Sequence, residues 1–391
     1  MIVQLWWSRY HRAILWTAIL LVTLLGSVRL FNEWRRLLVS SESVGAIDLL
    51  LRHGEIPRWF AGLPVYTSTA HAGYPPASYA LLFPFFGWLG AWETRWLWGL
   101  VTLIELAILI LLCLRYSCAQ TRLERVLITA TLLMSYPIPI TIGNGQLGIH
   151  VLLMFLGGTL LITGVNKLNW QVELATAMLW LLALTKPSSS VPFFWLALFI
   201  PRGLRPALLT SVSYAGLTLF AAVFQPMPPV DLFNEMFKYN DAVIDVNIGT
   251  HLPYWFGLLG WQNYTTLGTL TLFVGLGVWM FLNRRADVWL LLGVAGIVAR
   301  VWTYHRMYDD LLMLPAMIAL FRIIKRDAMI DATDMLAGIL FGTGWCLLML
   351  PGSIVTYPSP WNLPYLLGYP IVWLAMLGFL MIYTRRASIS A

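Results

Sequence analysis

Charge is scarce in this chain: Asp, Glu, Lys and Arg together make up 11% of its 391 residues, against about 25% in soluble globular domains. So little charge cannot cover a water-facing surface, which excludes an ordinary soluble protein. Hydrophobic residues reach 59% and mean hydropathy is +0.74, the opposite of what intrinsic disorder requires. Cysteine is nearly absent as well. Cys113, Cys118 and Cys346 offer neither a disulfide framework nor a zinc spacing. No H-E-x-x-H, D-x-D or Cys/His cluster occurs, and Asp309-Asp310 alone is a poor metal signature, so no required metal or other cofactor is expected. The alternating ten-residue segments of a transmembrane barrel are missing too; the apolar runs here are longer and apolar on every side. What is present fits an all-α polytopic membrane protein forming one integral-membrane domain, 1–391.

A spanning helix needs about 20 apolar residues. Candidate spans are 13–30, 95–114, 124–141, 147–165, 170–185, 190–201, 206–224, 264–283, 287–301, 308–322, 334–356 and 364–384. Ala77–Trp92 is apolar as well, but it is short and Pro84 interrupts it. The net charge of +7 invites a nucleic-acid reading until the basic residues are placed. They cluster beside spans, at Arg9/Arg12, Arg115/Arg122/Arg125, Arg202/Arg205, Arg284/Arg285, Arg322/Lys325/Arg326 and Arg385/Arg386. Membrane orientation explains that placement, and no nucleic-acid partner is expected. Counting Ala77–Trp92 as a crossing would throw these clusters outside, so about twelve crossings with both termini cytoplasmic are expected. Arg9 and Arg12 precede the run Ala13–Val28 without a small-x-small cleavage signal, which reads as an uncleaved anchor.

This topology leaves the outer side with two long loops, 31–94 (amphipathic and re-entrant segments) and 225–263, and three short polar turns. In the first loop, between Glu42 and Glu55, Val44, Ile47, Leu50 and Leu51 share one helical face while Asp48, Arg52 and Glu55 share the other. Such a helix is expected to lie on the membrane surface with its carboxylates toward the outer space. The competing view is a solvated face with an Asp48–Arg52 pair. Tyr74-Pro75-Pro76 then makes a rigid approach to Ala77–Trp92, or an ordinary helix start. Gly143-Asn144-Gly145-Gln146-Leu147-Gly148 matches G-x-G-x-x-G, yet it joins two lipid-length segments and no βαβ unit surrounds it. Asn144 and Gln146 offer amides suited to sugar hydroxyls, or simply a tight interhelical turn.

Lys186-Pro187 interrupts an apolar zone on the side where the positive-inside bias disfavours lysine. Its ammonium is either a lipid-phosphate ligand or a snorkelling helix-end group. The stretch Arg300 to Asp310 is the densest polar cluster between apolar spans. Arg300, His305 and Arg306 offer charge-assisted bonds to phosphate oxygens, and Asp309 orients them, binds a hydroxyl or neutralises them. Glu105 lies mid-span and takes no assigned role.

In order along the chain stand Ala46-Ile47-Asp48 in the first outer loop, Tyr74-Pro75-Pro76, Gly143-Asn144-Gly145-Gln146 and Leu184-Thr185-Lys186-Pro187. This ordered set resembles glycosyltransferase family 87, within the GT-C superfamily of membrane enzymes that use polyprenyl-phosphate sugars. The resemblance covers most of residues 13–200 and weakens beyond them. It implies a GT-C-like helical bundle and inverting transfer of mannose or a related sugar to a lipid or glycan acceptor outside the cytoplasm. It also implies an acidic general base in the first outer loop, where Asp48 matches; a longer spacing to Tyr66 leaves Glu55 as the rival. Lys186, Arg300, His305 and Arg306 are then expected to clamp the donor phosphate, with Tyr74, Asn144, Gln146 and Asp309 positioning sugar or acceptor. Compact loops suit a bacterial plasma membrane, whose lipids would surround the chain. A transporter or flippase of lipid-linked sugars is the alternative, and a non-catalytic scaffold the third.

Overall fold

The computed structural model describes residues 2–41, 44–67, 73–245, 249–326, 331–358 and 360–389. Among them are seventeen α-helices and three 3₁₀ turns, with no strand. The first six helices are α1 (Ile2–Leu38), α2 (Ile47–Phe60), α3 (Pro76–Phe86), α4 (Ala91–Tyr116), α5 (Arg122–Met134) and α6 (Pro137–Asn144). There follow α7 (Gly148–Gly164), α8 (Trp170–Ala183), α9 (Pro187–Phe199), α10 (Leu204–Ala222), α11 (Pro229–Asp245) and α12 (Leu252–Leu258). The last five are α13 (Thr265–Leu282), α14 (Val288–Val301), α15 (Leu314–Ile324), α16 (Ala332–Met349) and α17 (Leu363–Ile389).

Each of the twelve expected spans overlaps helix, but 124–141 takes in both α5 and α6, 308–322 begins in the 3₁₀ turn Met307–Met313, and 334–356 runs past the end of α16 at Met349. Six stretches are long and apolar enough to cross a membrane: Arg9–Leu38, Ala91–Tyr116, Arg122–Asn144, Gln262–Leu282, Ala332–Met349 and Tyr365–Arg386. Of the remaining helices α7, α14 and α15 are largely buried, whereas α8, α10 and α11 leave a face exposed. α14, with 14 residues, is about 21 Å long, and from Trp289 to Val301 every residue is buried. It packs on α9, α15 and α17, while α7 packs on α8, and α1 on α5 and α6. A helix apolar on all sides with protein on all sides belongs to the core.

Several boundaries differ from the sequence reading. The first helix continues eight residues beyond the expected 13–30, to Leu38, because Arg95 on α4 caps its open carbonyls: Nε donates to Leu37 O at 2.5 Å and Nη2 to Arg36 O at 3.0 Å. The first long loop, expected from residue 31, therefore begins after Leu38. Ala77–Trp92 is not one segment: α3 ends after 11 residues at Phe86, and Trp92 already belongs to α4. The second long loop, 225–263, holds α11 and α12. The amphipathic segment starts at Ile47, and Glu42 lies outside the described residues.

The orientation of α2 is the reverse of that expected. Arg52 and Glu55 on its polar face are buried, whereas Val44 and Ile47 are exposed. Leu49, Ile56 and Trp59 bury its other contacts. Its polar face turns inward because the bundle supplies partners there that a membrane surface would lack.

At the opposite end of the bundle the basic clusters also hold helices together. Arg322 Nη2 meets Asp287 at 2.8 Å and Lys325 Nζ meets Glu124 at 2.8 Å. Glu124 also closes a capping box with Thr121 at the start of α5.

The Gly143–Gly148 turn fits tightly under α2. Ala46 N–H donates to Gly143 O at 3.0 Å. Gly145 has φ +68°, and a Cβ there would stand 2.4 Å from Leu49 Cβ. Glycine is thus needed twice over, for backbone conformation and for space. Gly145→Ala is expected to destabilise the protein by roughly 1–3 kcal/mol and to loosen α2. Gly164→Ala, where no atom lies within 4 Å, serves as the silent control. Thermal unfolding of both variants in detergent checks this.

Candidate functional site

Four separate parts of the chain meet at one end of the bundle: α2, the α6–α7 turn, the break between α8 and α9, and the link from α14 to α15. The break is built by Leu184-Thr185-Lys186, with Pro187 opening α9; proline suits a first helical position because it lacks the N–H left unpaired there. The link is irregular up to a 3₁₀ turn, Met307–Met313.

Asp309 in that turn is the junction. Lys186 Nζ reaches its Oδ1 at 2.6 Å, His305 Nδ1 lies 3.1 Å from Oδ2, and Arg306 N–H donates to Oδ2 at 3.2 Å. Lys186 also stands over the Tyr308 ring at 5.4 Å. An ammonium has three donors, and Asp309 takes one of them. Burial favours neutral Lys186, but Asp309 outweighs it and holds the lysine above its ordinary value. His305 is enclosed, with Nε2 3.2 Å from Ser188 O.

Asp48 lies across from this group. It is half-buried, bonded through its side chain to Gln146, and it feels the charges of Arg52, Lys186 and Arg306. Burial raises its pKa above the ordinary 3.8, and the Gln146 bond and those cations only partly offset that. Arg306 is exposed and donates from Nε to the Tyr304 hydroxyl at 2.5 Å. Tyr74 joins the two halves: the Arg52 guanidinium covers its ring at 4.5 Å, and its surroundings include Lys186, Asp48 and Asp309. The structure thus brings together Asp48, Tyr74, Gln146, Lys186, His305, Arg306 and Asp309.

Three expected residues are engaged elsewhere. Arg300, 1% exposed, pairs with Asp310 and donates from Nη2 to Thr250 Oγ1 at 2.8 Å. It ties the link between α14 and α15 to Thr250 in the interior. Asn144 accepts from Arg36, which also pairs with Glu33 at 2.9 Å, so its amide holds the end of α1. Glu55 is wholly enclosed, with Arg52 Nη1 at 2.6 Å and Tyr79 beside it. Burial pushes its carboxyl up to about 7, against the pull of Arg52. The expected Asp48–Arg52 pair is therefore replaced by Arg52–Glu55. Around Glu55, Trp59 stacks on Tyr79 at 4.4 Å and donates to Ala221 O at 2.8 Å, pinning α2 to α10.

Sequence reasoning missed Tyr304, Tyr308 and the role of Arg52. Only Arg52 carried a signal, its i,i+3 and i,i+4 spacing to two acids. Beside Lys186, an apolar groove of about 740 Å³ including its open side runs along α9 between α10 and α13. Leu184 and Pro187 line one part of it, and Trp195, Leu198 and Phe273 another. Among the described residues no three His, Cys, Asp or Glu side chains are grouped as a metal site.

Lys186→Met would strand the Asp309 carboxylate in the interior and is expected to cost about 3–5 kcal/mol. Adding Asp309→Leu should recover much of that stability, as chemical denaturation of the single and double variants would show.

No family model, curated protein or solved structure matches this chain.

Proposed function

We propose that the chain is a membrane glycosyltransferase of the GT-C type. It moves mannose or a related sugar from a polyprenyl-phosphate donor to a lipid or glycan acceptor on the outer face of the plasma membrane. Its helices cross about twelve times with both termini cytoplasmic, counting the short buried helices as crossings, and no cofactor enters the reaction. The observation that carries this reading is one half-buried carboxylate, Asp48, facing Lys186 and Arg306 beside an apolar groove.

Polyprenyl phosphate is already a fair leaving group, so a covalent enzyme intermediate is unnecessary. Asp48 takes the proton of the acceptor hydroxyl as its oxygen attacks the anomeric carbon. The bond from that carbon to the phosphate oxygen breaks with inversion, and polyprenyl phosphate leaves with the electron pair. Lys186 and Arg306 face the negative charge that grows on the phosphate. Asp309 and His305 fix the lysine, and Gln146 fixes the base. Arg300 acts at one remove, through Asp310. Glu55, enclosed with Arg52, suits an anchor better than a base, because no acceptor hydroxyl reaches it. The flippase alternative draws on the helix break at Lys186, but a flippase leaves the glycosidic bond of the donor intact.

The test is incubation of purified protein with a panel of polyprenyl-phosphate sugars. Asp48→Asn is expected to lower turnover by about 10²–10⁴-fold, and Glu55→Gln to leave it near that of the unaltered chain. Near-normal turnover by Asp48→Asn would remove Asp48 as the base. Because the base must be ionised, kcat/KM should climb with pH through a pKa above 3.8, a limb absent from Asp48→Asn. Arg306→Ala should raise the KM for donor more than that for acceptor.

A further inference from the structure

Asp48 and Gln146, bonded to each other through their side chains, belong to stretches of chain far apart in sequence, and one guanidinium bridges those stretches. Arg36 stands in the last turn of α1. Its Nε donates to Val44 O at 2.9 Å, on the link that leads into α2. Its Nη2 donates to Asn144 Oδ1 in the α6–α7 turn. Its Nη1 pairs with Glu33 at 2.9 Å, so all three nitrogens are committed. The guanidinium therefore holds one point four residues before Asp48 and another two residues before Gln146.

The chain around this bridge leaves little room for adjustment. Arg95 on α4 donates to Arg36 O at 3.0 Å, and Ala46 N–H donates to Gly143 O at 3.0 Å. A Cβ on Gly45 would stand 2.2 Å from Arg36 O, so the link lies directly against the end of α1. α2 then starts without a side-chain cap, from Ala46 at φ +53°. That is a left-handed conformation which alanine adopts only where its surroundings impose it. With no cap of its own, the first turn of α2, which carries Asp48, takes its place from the link before it.

Resting on the reading of Asp48 as the base, we infer that Arg36 and Asn144 are positioning residues of the site: the guanidinium holds the start of α2 against the α6–α7 turn so that Gln146 meets the Asp48 carboxylate. They act through Gln146 and the first turn of α2. A side chain that merely braced α1 would need only its charge, for Glu33, and lysine would serve as well. A bridge needs a planar fork with donors aimed at two acceptors at once, which an ammonium does not reproduce.

Carbodiimide couples to a carboxyl only when it is protonated, so its coupling to Asp48 reads the ionisation of that residue without requiring turnover. Coupling is followed against pH by peptide mass spectrometry, on the full-length protein in lipid nanodiscs. Burial raises the pKa of Asp48, and the Gln146 bond is the first of the contacts that lower it. Arg52 and Glu55 on α2, Tyr74, and Lys186 also bear on Asp48. So do Tyr304, Arg306 and Tyr308 on the link after α14, and every variant leaves all of these unaltered. Arg36→Lys and Asn144→Ala should each move the coupling midpoint to higher pH, as Gln146→Ala does. Asn144→Asp, which keeps the accepting oxygen, should restore it. Adding Arg36→Lys to Gln146→Ala should move the midpoint no further, because the bond is already lost. Turnover by Arg36→Lys should fall roughly 10–100-fold through kcat, with the KM for donor unchanged. A midpoint that Arg36→Lys leaves in place, a shift that adds to that of Gln146→Ala, or an undiminished kcat overturns the inference. The expected shifts in a chain whose unaltered form turns over no polyprenyl-phosphate sugar support the positioning and overturn the transfer reading.

Discussion

The ion pair between Lys186 and Asp309 joins the break between α8 and α9 to the 3₁₀ turn before α15, and His305, Arg306 and Tyr308 take their places around it. Taking either ion alone out of water would cost several kcal/mol. Together they are affordable only because the rest of the carboxylate is also bonded, by His305 and the Arg306 N–H. That arrangement leaves Lys186 with donors to spare and turns Arg306 outward beside Asp48. The same logic explains Arg300 and Asp310, which satisfy each other in the interior.

The second constraint is the inward turn of α2. A helix carrying Asp48, Arg52 and Glu55 on one stripe would ordinarily show that stripe to water. Here Glu55 and Arg52 neutralise each other within an aromatic box of Tyr74, Tyr79 and Trp59. Asp48, one turn nearer the helix start than Arg52, is left half-buried beside Gln146. The glycines beneath it let the backbone of the α6–α7 turn approach closely enough for Gln146 to reach the carboxylate. The packed helices and their turns thus bring an acid, an amide and two cations close to one another.

The helical membrane class could be read from composition, and most of the cavity residues from one observation: they are the polar groups at the non-basic ends of apolar runs. Tyr74, Gln146, Lys186 and Asp309 all qualify on that ground. What local spacing could not supply was partners. Lys186 and Asp309 are 123 residues apart, and the cap that extends α1 comes from Arg95, 58 residues from Leu37. Periodicity showed that Asp48, Arg52 and Glu55 share a face, but a face has no direction until its neighbours are known. Arg300 shows the same limit. Its place in the densest polar stretch revealed nothing of Asp310, which claims it.

The central claim is that Asp48 on α2 and Arg306 after α14 face each other across one outer cavity. It is tested most directly by cross-linking Asp48→Cys to Arg306→Cys with a short, membrane-impermeant bifunctional thiol reagent, in a chain whose exposed Cys118 and Cys346 are replaced by serine. Reagent added from the outer side of sealed cells should join the two positions within one molecule. Single labelling of each cysteine without a cross-link, or reaction only after the membrane is opened, would contradict the account.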